Sequence, residues 1–200
     1  MVKPPIILAF DTSAAHCAAA LLCDDRITLK FETMAKGQAE RLMLLLEEML
    51  AEAGVVWADI CAIGVGTGPG NFTGVRISVA AARGLALGLG IPAIGVTALE
   101  AAAFGAILPA TVVLDARRDE VYVQNFTDLG PGPARMVAAA ERPDGPSIGF
   151  GGVAPMYPIA QAIARITAMR FHQPQPRPAP FYLRGADAAP PTDPPPVILP

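Results

Sequence analysis

The sequence predicts an α/β protein whose sheet is at least partly parallel, and three observations support this. Short apolar runs of strand length alternate with segments of helical spacing over the first half of the chain. A glycine-rich turn joins one of these runs to an apolar helix. Hydrophobic residues make up 52% of the 200 residues and charged residues only 16%, which is ample material for a core. Alternating strands and helices favour a sheet whose faces are covered by helices.

The first 54 residues predict three strands and one helix. An apolar run that ends at Asp11, and two further runs joined by the turn Asp24-Asp25, are short and rich in apolar or β-branched residues, as strands are. Residues 38–53 change to helical spacing and are followed by Gly54, a residue type that commonly ends helices. The expected order in this part is strand, strand, strand, helix.

Strands and helices alternate in the next part of the chain. The apolar run at residues 60–68 is typical of a strand, and a helix is predicted over about residues 72–89. A short strand at residues 91–97 and an alanine-rich helix from about Ala98 follow. Because a helix separates successive strands, this portion of the sheet is expected to be parallel.

A second and smaller zone follows. Residues 111–127 indicate two strands around a polar turn, and residues 159–169 have helical spacing. Between them Gly, Pro and small residues dominate, so this zone has less material for a core. The sequence therefore divides into an N-terminal lobe at residues 1–105, a reduced C-terminal lobe at 106–184 and a proline-rich tail at 185–200 that lacks a core of its own.

Charge and hydropathy exclude several classes of protein. The formal net charge is −3, so no global positive field draws the chain onto a polyanion such as RNA. The longest charge-free run, residues 145–164, contains four glycines and three prolines and is not typical of a bilayer-spanning helix. The start of the chain lacks the features of a signal peptide. We therefore expect a cytoplasmic protein with no membrane partner.

The cysteines and histidines do not form the pattern of a metal site or of a catalytic nucleophile. Cys17, Cys23 and Cys61 are odd in number and form no CxxC pair, so we expect small core residues rather than disulfides or a zinc site. His16 and His172 are the only histidines and lie far apart in sequence. No catalytic or metal-binding residue is therefore expected.

Two helices have apolar arcs wider than one sheet face requires. In the helix at 38–53 the apolar arc spans about 160°, and Leu44 falls among charged residues. The helix at 72–89 has only two charges, Arg76 and Arg83, and several small residues that would let another helix approach closely. Other parts of the same chain could instead cover these arcs, but a helical protein–protein interface is favoured. The candidate interface residues are Glu40, Leu42, Met43, Leu46, Met49, Leu50, Gly74, Val75, Arg76, Ser78, Val79, Ala82 and Arg83.

Two segments could bind an anion. The glycine-rich turn at residues 64–76 follows a strand and opens a helix, where backbone N–H groups can bind phosphate, but it matches neither the P-loop nor the dinucleotide pattern. A structural tight turn explains it equally well. Asp11, Thr12 and Ser13 end the first strand at a location that suits metal-bound phosphate, or form a turn stabilised by their own side chains.

Three stretches resemble one known family. They are ILAFDTS at residues 7–13, GTGPGNFTGVRISVAAARGLALGLGIPAIGVTALEA at 66–101 and LDARRDEVY at 114–122, with a weaker match at PFYLR, residues 180–184. These stretches are similar to the bacterial TsaB family, also called YeaZ, the partner subunit in making threonylcarbamoyladenosine beside the tRNA anticodon. The resemblance covers about residues 6–184 of this chain.

The resemblance implies an α/β fold of the actin-like ATPase (ASKHA) type, with two ribonuclease-H-like lobes of which the second is reduced. It also implies a non-catalytic role beside TsaD, the catalytic subunit that carries the metal-binding histidines and transfers threonylcarbamoyl to tRNA. In the family the two helices corresponding to residues 38–53 and 72–89 form a helical bundle with TsaD. The same surface supports a homodimer when TsaD is absent, the ATPase TsaE joins the complex, and tRNA is contacted only through the complex.

The resemblance also bears on nucleotide binding. Asp11, Thr12, Ser13, Gly151 and Gly152 lie where relatives of this fold hold phosphate and adenosine, while the reduced second lobe leaves the cleft incomplete. The resemblance therefore implies that this chain requires no cofactor and that ATP and Mg enter the complex through TsaD and TsaE. This chain has Gln38-Ala39-Glu40 where family members often have His-Ser-Glu or His-Ala-Glu. The alternative functions are an independent ATP-binding enzyme of the actin-like fold, kinase-like or glycoprotease-like, and an orphan dimer with a vestigial cleft.

Overall fold

The computed structural model describes residues 4–184, which form two β-sheets and four α-helices. The proline-rich tail predicted at residues 185–200 lies outside the described residues. In chain order the elements are β1 Ile6–Asp11, β2 His16–Cys23, β3 Arg26–Thr33, α1 Gln38–Ala53, β4 Ile60–Gly66, α2 Phe72–Leu89, β5 Ala93–Val96, α3 Ala98–Ala103, β6 Ala110–Arg117, β7 Glu120–Thr127, β8 Gly130–Pro131, β9 Arg135–Ala138, β10 Ile148–Gly149 and α4 Ile159–Arg170.

The N-terminal sheet has the strand order β3-β2-β1-β4-β5. β1, β2 and β3 pair antiparallel, whereas β1, β4 and β5 pair parallel. β1 is buried on both faces: Leu8 and Phe10 face the core under α1, and Ile7 and Ala9 face the core under α4. This strand order is that of a ribonuclease-H-like lobe, and the predicted two-lobed α/β fold of actin-like type is confirmed.

The described C-terminal sheet is smaller and contains the hairpin β6–β7 at its centre. β10 pairs with β6, and β8 and β9 both pair with β7. β8 and β9 lie in the Gly- and Pro-rich segment where no strand was predicted. Both are short and pair only with β7, so they need no sustained hydrophobic alternation of their own.

The position of α4 differs from the predicted lobe division. The sequence places residues 159–170 in the C-terminal lobe, but α4 packs on β1, β2 and β4 of the N-terminal sheet. Its side chains Ala160, Ile163 and Ile166 join the core that also contains Ile7. The chain therefore returns to the first lobe after the second sheet is complete, which sequence order alone does not reveal.

α2 is long and apolar enough to cross a membrane, by length and composition only. The charge-free run considered above at residues 145–164 is therefore not the most membrane-like part of the chain. A single such helix is weak evidence for a membrane span, because the core helix of a soluble protein can pass the same test. One face of α2 packs against the N-terminal sheet through Val75, Val79 and Ala82.

An ion-pair cluster joins β3 to α1. The guanidinium of Arg41 binds the carboxylate of Glu32 with two hydrogen bonds of 2.6 and 2.7 Å, and it binds Glu48 with two of 2.7 Å. Through these hydrogen bonds Arg41 lowers the pKa of Glu32 and of Glu48 below the ordinary value of 4.5. Because both pKa values are depressed, the stabilisation is fully present above pH 4.5 and is lost as the pH falls through the lowered values.

The cluster predicts a specific acid sensitivity. Glu32→Gln removes one titrating partner of Arg41, so the melting temperature of this variant should decline less steeply below pH 4.5 than that of the wild type. Thermal unfolding followed by circular dichroism at a series of pH values measures the difference. Parallel curves for the two proteins would show that Glu32 does not contribute.

Candidate functional site

A cleft of about 840 Å³ lies between the two sheets, at the carboxyl ends of β1, β4 and β6. Ligand sites of α/β proteins commonly lie at such strand ends. The cleft is lined from the N-terminal lobe by residues 13–16 and 69–72, and from the C-terminal lobe by residues 114–118. The chain segment at residues 181–184 forms a further wall.

Asp11 lies at the base of this region and is completely buried. Its Oδ2 accepts hydrogen bonds from the backbone N–H of Ser13 at 3.0 Å and from the Ser13 hydroxyl at 2.9 Å, and it lies 2.7 Å from Nε2 of His16. Oδ1 has no hydrogen-bond partner among the described residues. The geometry is that of a turn stabilised by its own side chains.

The glycine-rich turn packs against the same segment. A Cβ added to Gly74 would lie 1.9 Å from the carbonyl oxygen of Thr12, so only glycine fits there. The Thr12 hydroxyl donates to the carbonyl oxygen of Gly74 at 2.7 Å, and Asn71 donates its backbone N–H to Ser13 at 2.6 Å. Asn71 also caps α2, since its Oδ1 accepts the N–H of Gly74 at 3.0 Å. These contacts support the structural explanation of the glycines.

The predicted nucleotide-binding residues differ in their position relative to the cleft. Asp11, Thr12 and Ser13 are adjacent to the cleft, and Ser13 lines it. Gly151 and Gly152 are exposed in the turn that follows β10, and neither lines the cleft. β10 pairs parallel with β6, and the grouping of these two glycines with Asp11, Thr12 and Ser13 in one site stays a prediction.

The turn between β6 and β7 contributes the charged wall of the cleft. Arg117, Arg118 and Asp119 all have left-handed backbone angles, with φ of 61°, 54° and 58°. Such angles are costly for residues with side chains and are held only where the surroundings determine them. Arg184 helps to hold the turn in this conformation, since its guanidinium donates to the carbonyl oxygen of Ala116 at 2.9 Å and pairs with Glu120.

The segment at residues 178–184 connects the two lobes, a role that the sequence did not suggest. The carbonyl oxygen of Pro178 accepts from Arg83 at 2.7 Å, and Phe181 donates its N–H to Thr67 at 2.8 Å. Further along, Arg184 reaches the β6–β7 turn, as described above. The weak resemblance at residues 180–184 was the only sequence signal for this segment.

Tyr182 anchors the same segment on α2. Its ring stacks on Phe72 with centroids 5.0 Å apart, and its hydroxyl accepts from Nε of Arg76 at 3.0 Å. The Arg76 guanidinium lies 3.8 Å from the centroid of the Phe72 ring. Arg76 and Arg83, both predicted interface residues, therefore bind the C-terminal segment of their own chain.

Most of the other predicted interface residues are buried in the core. Apart from Gly74, which has no side chain, these residues are at most 3% exposed. They pack between the helices and the N-terminal sheet. Helical periodicity gives the width of an apolar arc but not the side on which the core lies, and the most apolar positions proved to be the core side. The residues corrected in this way are Leu42, Leu46, Met49, Leu50, Gly74, Val75, Ser78, Val79 and Ala82.

The outward sides of α1 and α2 form what we call the helical face, defined by Glu40, Met43 and Leu44 on α1 and by Ala80, Gly84 and Gly88 on α2. Leu44 is 55% exposed. Met43 is half-buried, and the other four residues are exposed. A Cβ added to Gly84 or Gly88 would meet no atom within 4 Å. The helical face thus combines exposed apolar surface with small residues.

The described residues contain no group of three or more His, Cys, Asp and Glu side chains that could hold a metal ion. Cys17 is buried, whereas Cys23 and Cys61 are half-buried. Burial, assisted by the negative charge of Glu32, raises the pKa of the Cys17 thiol to about 11. This thiol is therefore protonated near neutral pH and is not an activated nucleophile.

Comparisons with known proteins agree with the fold. Residues 32–187 match a protein-family model described as TsaD, tRNA N6-adenosine threonylcarbamoyltransferase. The chain is 42% identical over 121 residues to the tRNA threonylcarbamoyladenosine biosynthesis protein TsaB of Escherichia coli K12. The aligned residues make up 58% of this chain and 52% of that protein. The match thus spans about half of the length of that relative.

Two further matches extend over nearly the whole chain. The uncharacterized protein Rv3421c of Mycobacterium tuberculosis is 34% identical over 208 residues, covering 94% of this chain and 96% of that protein. The structure of YeaZ from Pseudomonas aeruginosa superposes with a TM-score of 0.73 at 25% identity, covering 90% of this chain and 100% of that one. The fold, the relatives and the family model together show that this chain belongs to the TsaB/YeaZ family, within the wider family described by the TsaD model.

Proposed function

We propose that this chain is a non-catalytic accessory subunit in the synthesis of N6-threonylcarbamoyladenosine on tRNA, and that it binds and activates a TsaD-type catalytic subunit. The observation that carries the proposal is the helical face. It offers exposed apolar and small side chains on two adjacent helices, which suits close packing by helices of a partner. The relatives named TsaB support the same pathway.

The proposal assigns no cofactor to this chain and places ATP and Mg on TsaD and on the ATPase TsaE. Asp11 is buried beside the cleft; its Oδ2 is held by Ser13 and His16, whereas its Oδ1 has no hydrogen-bond partner among the described residues. The described residues offer no set of three ligands around it. The proposal derives no catalytic step from the cleft.

The proposal also covers the remaining partners. The net charge of −3 supports contact with tRNA only through the assembled complex. A subunit that acts on tRNA beside TsaD would work in the cytoplasm and would need no membrane. TsaE would join the complex after the pairing with TsaD, on a surface composed of both subunits.

Substitutions on the helical face test the proposed pairing. Leu44→Glu and Gly84→Leu should each raise the dissociation constant for TsaD by at least about tenfold, because one introduces a charge and the other blocks close approach. Both positions are exposed, so the fold should be retained. Isothermal titration calorimetry with the host's TsaD gives the dissociation constants.

The matched control is Ile107→Glu, which replaces another apolar residue, 93% exposed, outside α1 and α2. This control should bind TsaD like the wild type. If Leu44→Glu and Gly84→Leu both retain wild-type affinity, the helical face does not bind TsaD. Circular dichroism of each variant separates lost binding from lost folding.

A further inference from the structure

Aromatic side chains line the cleft between the two sheets, and part of their surface is open to solvent. The rings of Phe72 and Tyr182 stack with centroids 5.0 Å apart, yet these residues remain 42% and 38% exposed. Leu114 and Phe181 also line the cleft. Its volume of about 840 Å³ lies within the usual range of ligand pockets. The cleft can therefore accept an apolar ligand or a short stretch of polypeptide.

The described wall of the cleft carries an excess of positive charge. Three arginines line it, namely Arg117, Arg118 and Arg184, against a single carboxylate, that of Asp115. Arg184 is paired with Glu120, whereas Arg117 and Arg118 are exposed in the β6–β7 turn. A ligand that combines apolar surface with negative charge is therefore favoured in this cleft.

The chain itself leads into the cleft at residue 184. Arg184 lines the cleft, and its guanidinium donates to the carbonyl oxygen of Ala116 at 2.9 Å. The residues that follow, GADAAPPTDPPPVILP, lie outside the described residues. Their sequence contains six prolines and two aspartates, Asp187 and Asp193, but no lysine or arginine. Its charge is thus opposite to that of the cleft wall.

We propose that the cleft is a binding site for an acidic proline-rich segment, and that residues 187–196 of the same chain occupy it. Asp187 pairs with Arg117 at the β6–β7 turn, and the prolines of residues 190–196 pack on the exposed rings of Phe72 and Tyr182. Proline-rich segments bind aromatic-lined grooves in other domains, because their preferred extended conformation costs little entropy to fix.

The length of the segment suits both contacts. Asp187 is three residues beyond Arg184, or about 9 Å at about 3.1 Å per residue, and Arg184 already contacts the turn that carries Arg117. Tyr182 is only two residues before Arg184, so residues 190–196 can return across the cleft to its ring. Gly185 permits the reversal of direction that this return requires.

The segment of this chain is favoured over a peptide of another protein because it is attached at the cleft. A short tether gives an effective concentration on the order of millimolar, and no translational freedom is lost on binding. A foreign peptide or a small anion must therefore displace the segment before it can enter. This occupancy does not involve the helical face and goes beyond the proposed function.

A peptide added in trans tests the occupancy. The probe is a dye-labelled peptide of residues 185–200, and fluorescence anisotropy gives its dissociation constant for the full chain and for a serine variant. In the wild type the attached segment competes with the peptide. We expect the serine variant to bind it at least about tenfold more tightly, which corresponds to about nine-tenths occupancy in the wild type. The positions replaced by serine are Pro190, Pro191, Pro194, Pro195 and Pro196.

Asp187→Lys tests the ion pair, and Asp128→Lys is its matched control. The two substitutions change the net charge equally, and Asp128 is exposed and does not line the cleft. Asp187→Lys weakens the competing segment, so this chain should bind the labelled peptide more tightly than the wild type does. Asp128→Lys should bind it with wild-type affinity.

Fluorine NMR of the full chain with 3-fluorotyrosine identifies the surface that the segment contacts. Of the three tyrosines, Tyr122 and Tyr182 line the cleft and Tyr157 does not. The serine variant should shift the Tyr182 resonance and leave that of Tyr157 in place.

A charge swap tests the same ion pair by fluorine NMR. Arg117→Asp should shift the Tyr182 resonance, and its combination with Asp187→Lys should return that resonance towards the wild-type position. Aspartate suits the left-handed backbone of residue 117, where φ is 61°, so the turn should be retained.

Four results would overturn the proposal. Equal affinity of the wild type and the serine variant for the peptide would show an open cleft that takes such a segment from another protein. Absence of binding to the serine variant would show that no such site exists. A shift of Tyr157 instead of Tyr182 would place the contact elsewhere.

The fourth result concerns anions. If inorganic phosphate shifted the Tyr182 resonance of the wild type as much as that of the serine variant, the cleft would bind an anion without a competing segment. Circular dichroism confirms the fold of each variant, and Asp187→Lys decides if Arg117→Asp does not fold. None of these measurements involves TsaD, so the outcome is separate from that of the proposed function.

Discussion

Replacing Leu46 by glutamate is expected to unfold the N-terminal lobe. Leu46 is completely buried between α1 and the sheet, in the same cluster as Leu8 and Phe10. Loss of its packing and burial of a carboxyl group cost about 4 kcal/mol or more. The total stability of a domain is only about 5–15 kcal/mol. Thermal unfolding followed by circular dichroism should show a greatly lowered melting temperature or no folded protein.

Leu44→Glu is the matched control, since it makes the same change two residues earlier in the same helix. Leu44 is 55% exposed, so its replacement should leave the melting temperature within a few degrees of the wild type. The pair separates two explanations for lost binding of TsaD. If Leu46→Glu folded as stably as Leu44→Glu, the assignment of Leu46 to the core would be wrong.

Gly74→Ala is expected to destabilise the glycine-rich turn strongly, although it only replaces one hydrogen atom by a methyl group. The added methyl group would lie 1.9 Å from the carbonyl oxygen of Thr12, which is backbone and cannot rotate away. The start of α2 would have to move from the end of β1, at a cost of about 3 kcal/mol or more. For a chain of this size, that cost lowers the melting temperature by roughly 6–12 °C.

Gly84→Ala provides the control in the same helix. No atom lies within 4 Å of a Cβ at this position, so alanine should raise the stability by about 0.5–1 kcal/mol through its higher helix propensity. The contrast between the two alanine variants depends only on the close approach at Thr12. Equal melting temperatures would show that α2 does not dock on the Asp11 turn as described.

Local signals identified most of the first lobe from the sequence. The apolar spacing and the final Gly54 gave the bounds of α1, because a left-handed residue with φ of 65° ends that helix. The turn at Asp24-Asp25 separated β2 from β3. The run at residues 66–101 carried the family resemblance. All these features depend on short-range patterns, which periodicity and turn chemistry record.

Features that depend on contacts between distant residues could not be predicted. The apolar arc of α1 does not show which side of the helix faces the core. Leu42 and Leu44 are the same residue type, but in the fold Leu42 is buried and Leu44 is exposed. Gly151 follows β10 and does not line the cleft. The contact of Tyr182 with Arg76 joins residues 106 positions apart. No local sequence pattern indicates a contact between residues so far apart in the chain.

In the proposed function, this chain acts through TsaD and performs no chemistry alone. The most direct test mixes the purified chain with the host's TsaD and measures the mass of the complex by light scattering after gel filtration. Modification of tRNA is then assayed with TsaE, with and without this chain. We expect a complex of the two subunits, and tRNA modification that requires this chain, which is inert by itself. Failure to associate, together with magnesium-dependent ATP turnover by this chain alone that Asp11→Ala abolishes, would contradict it.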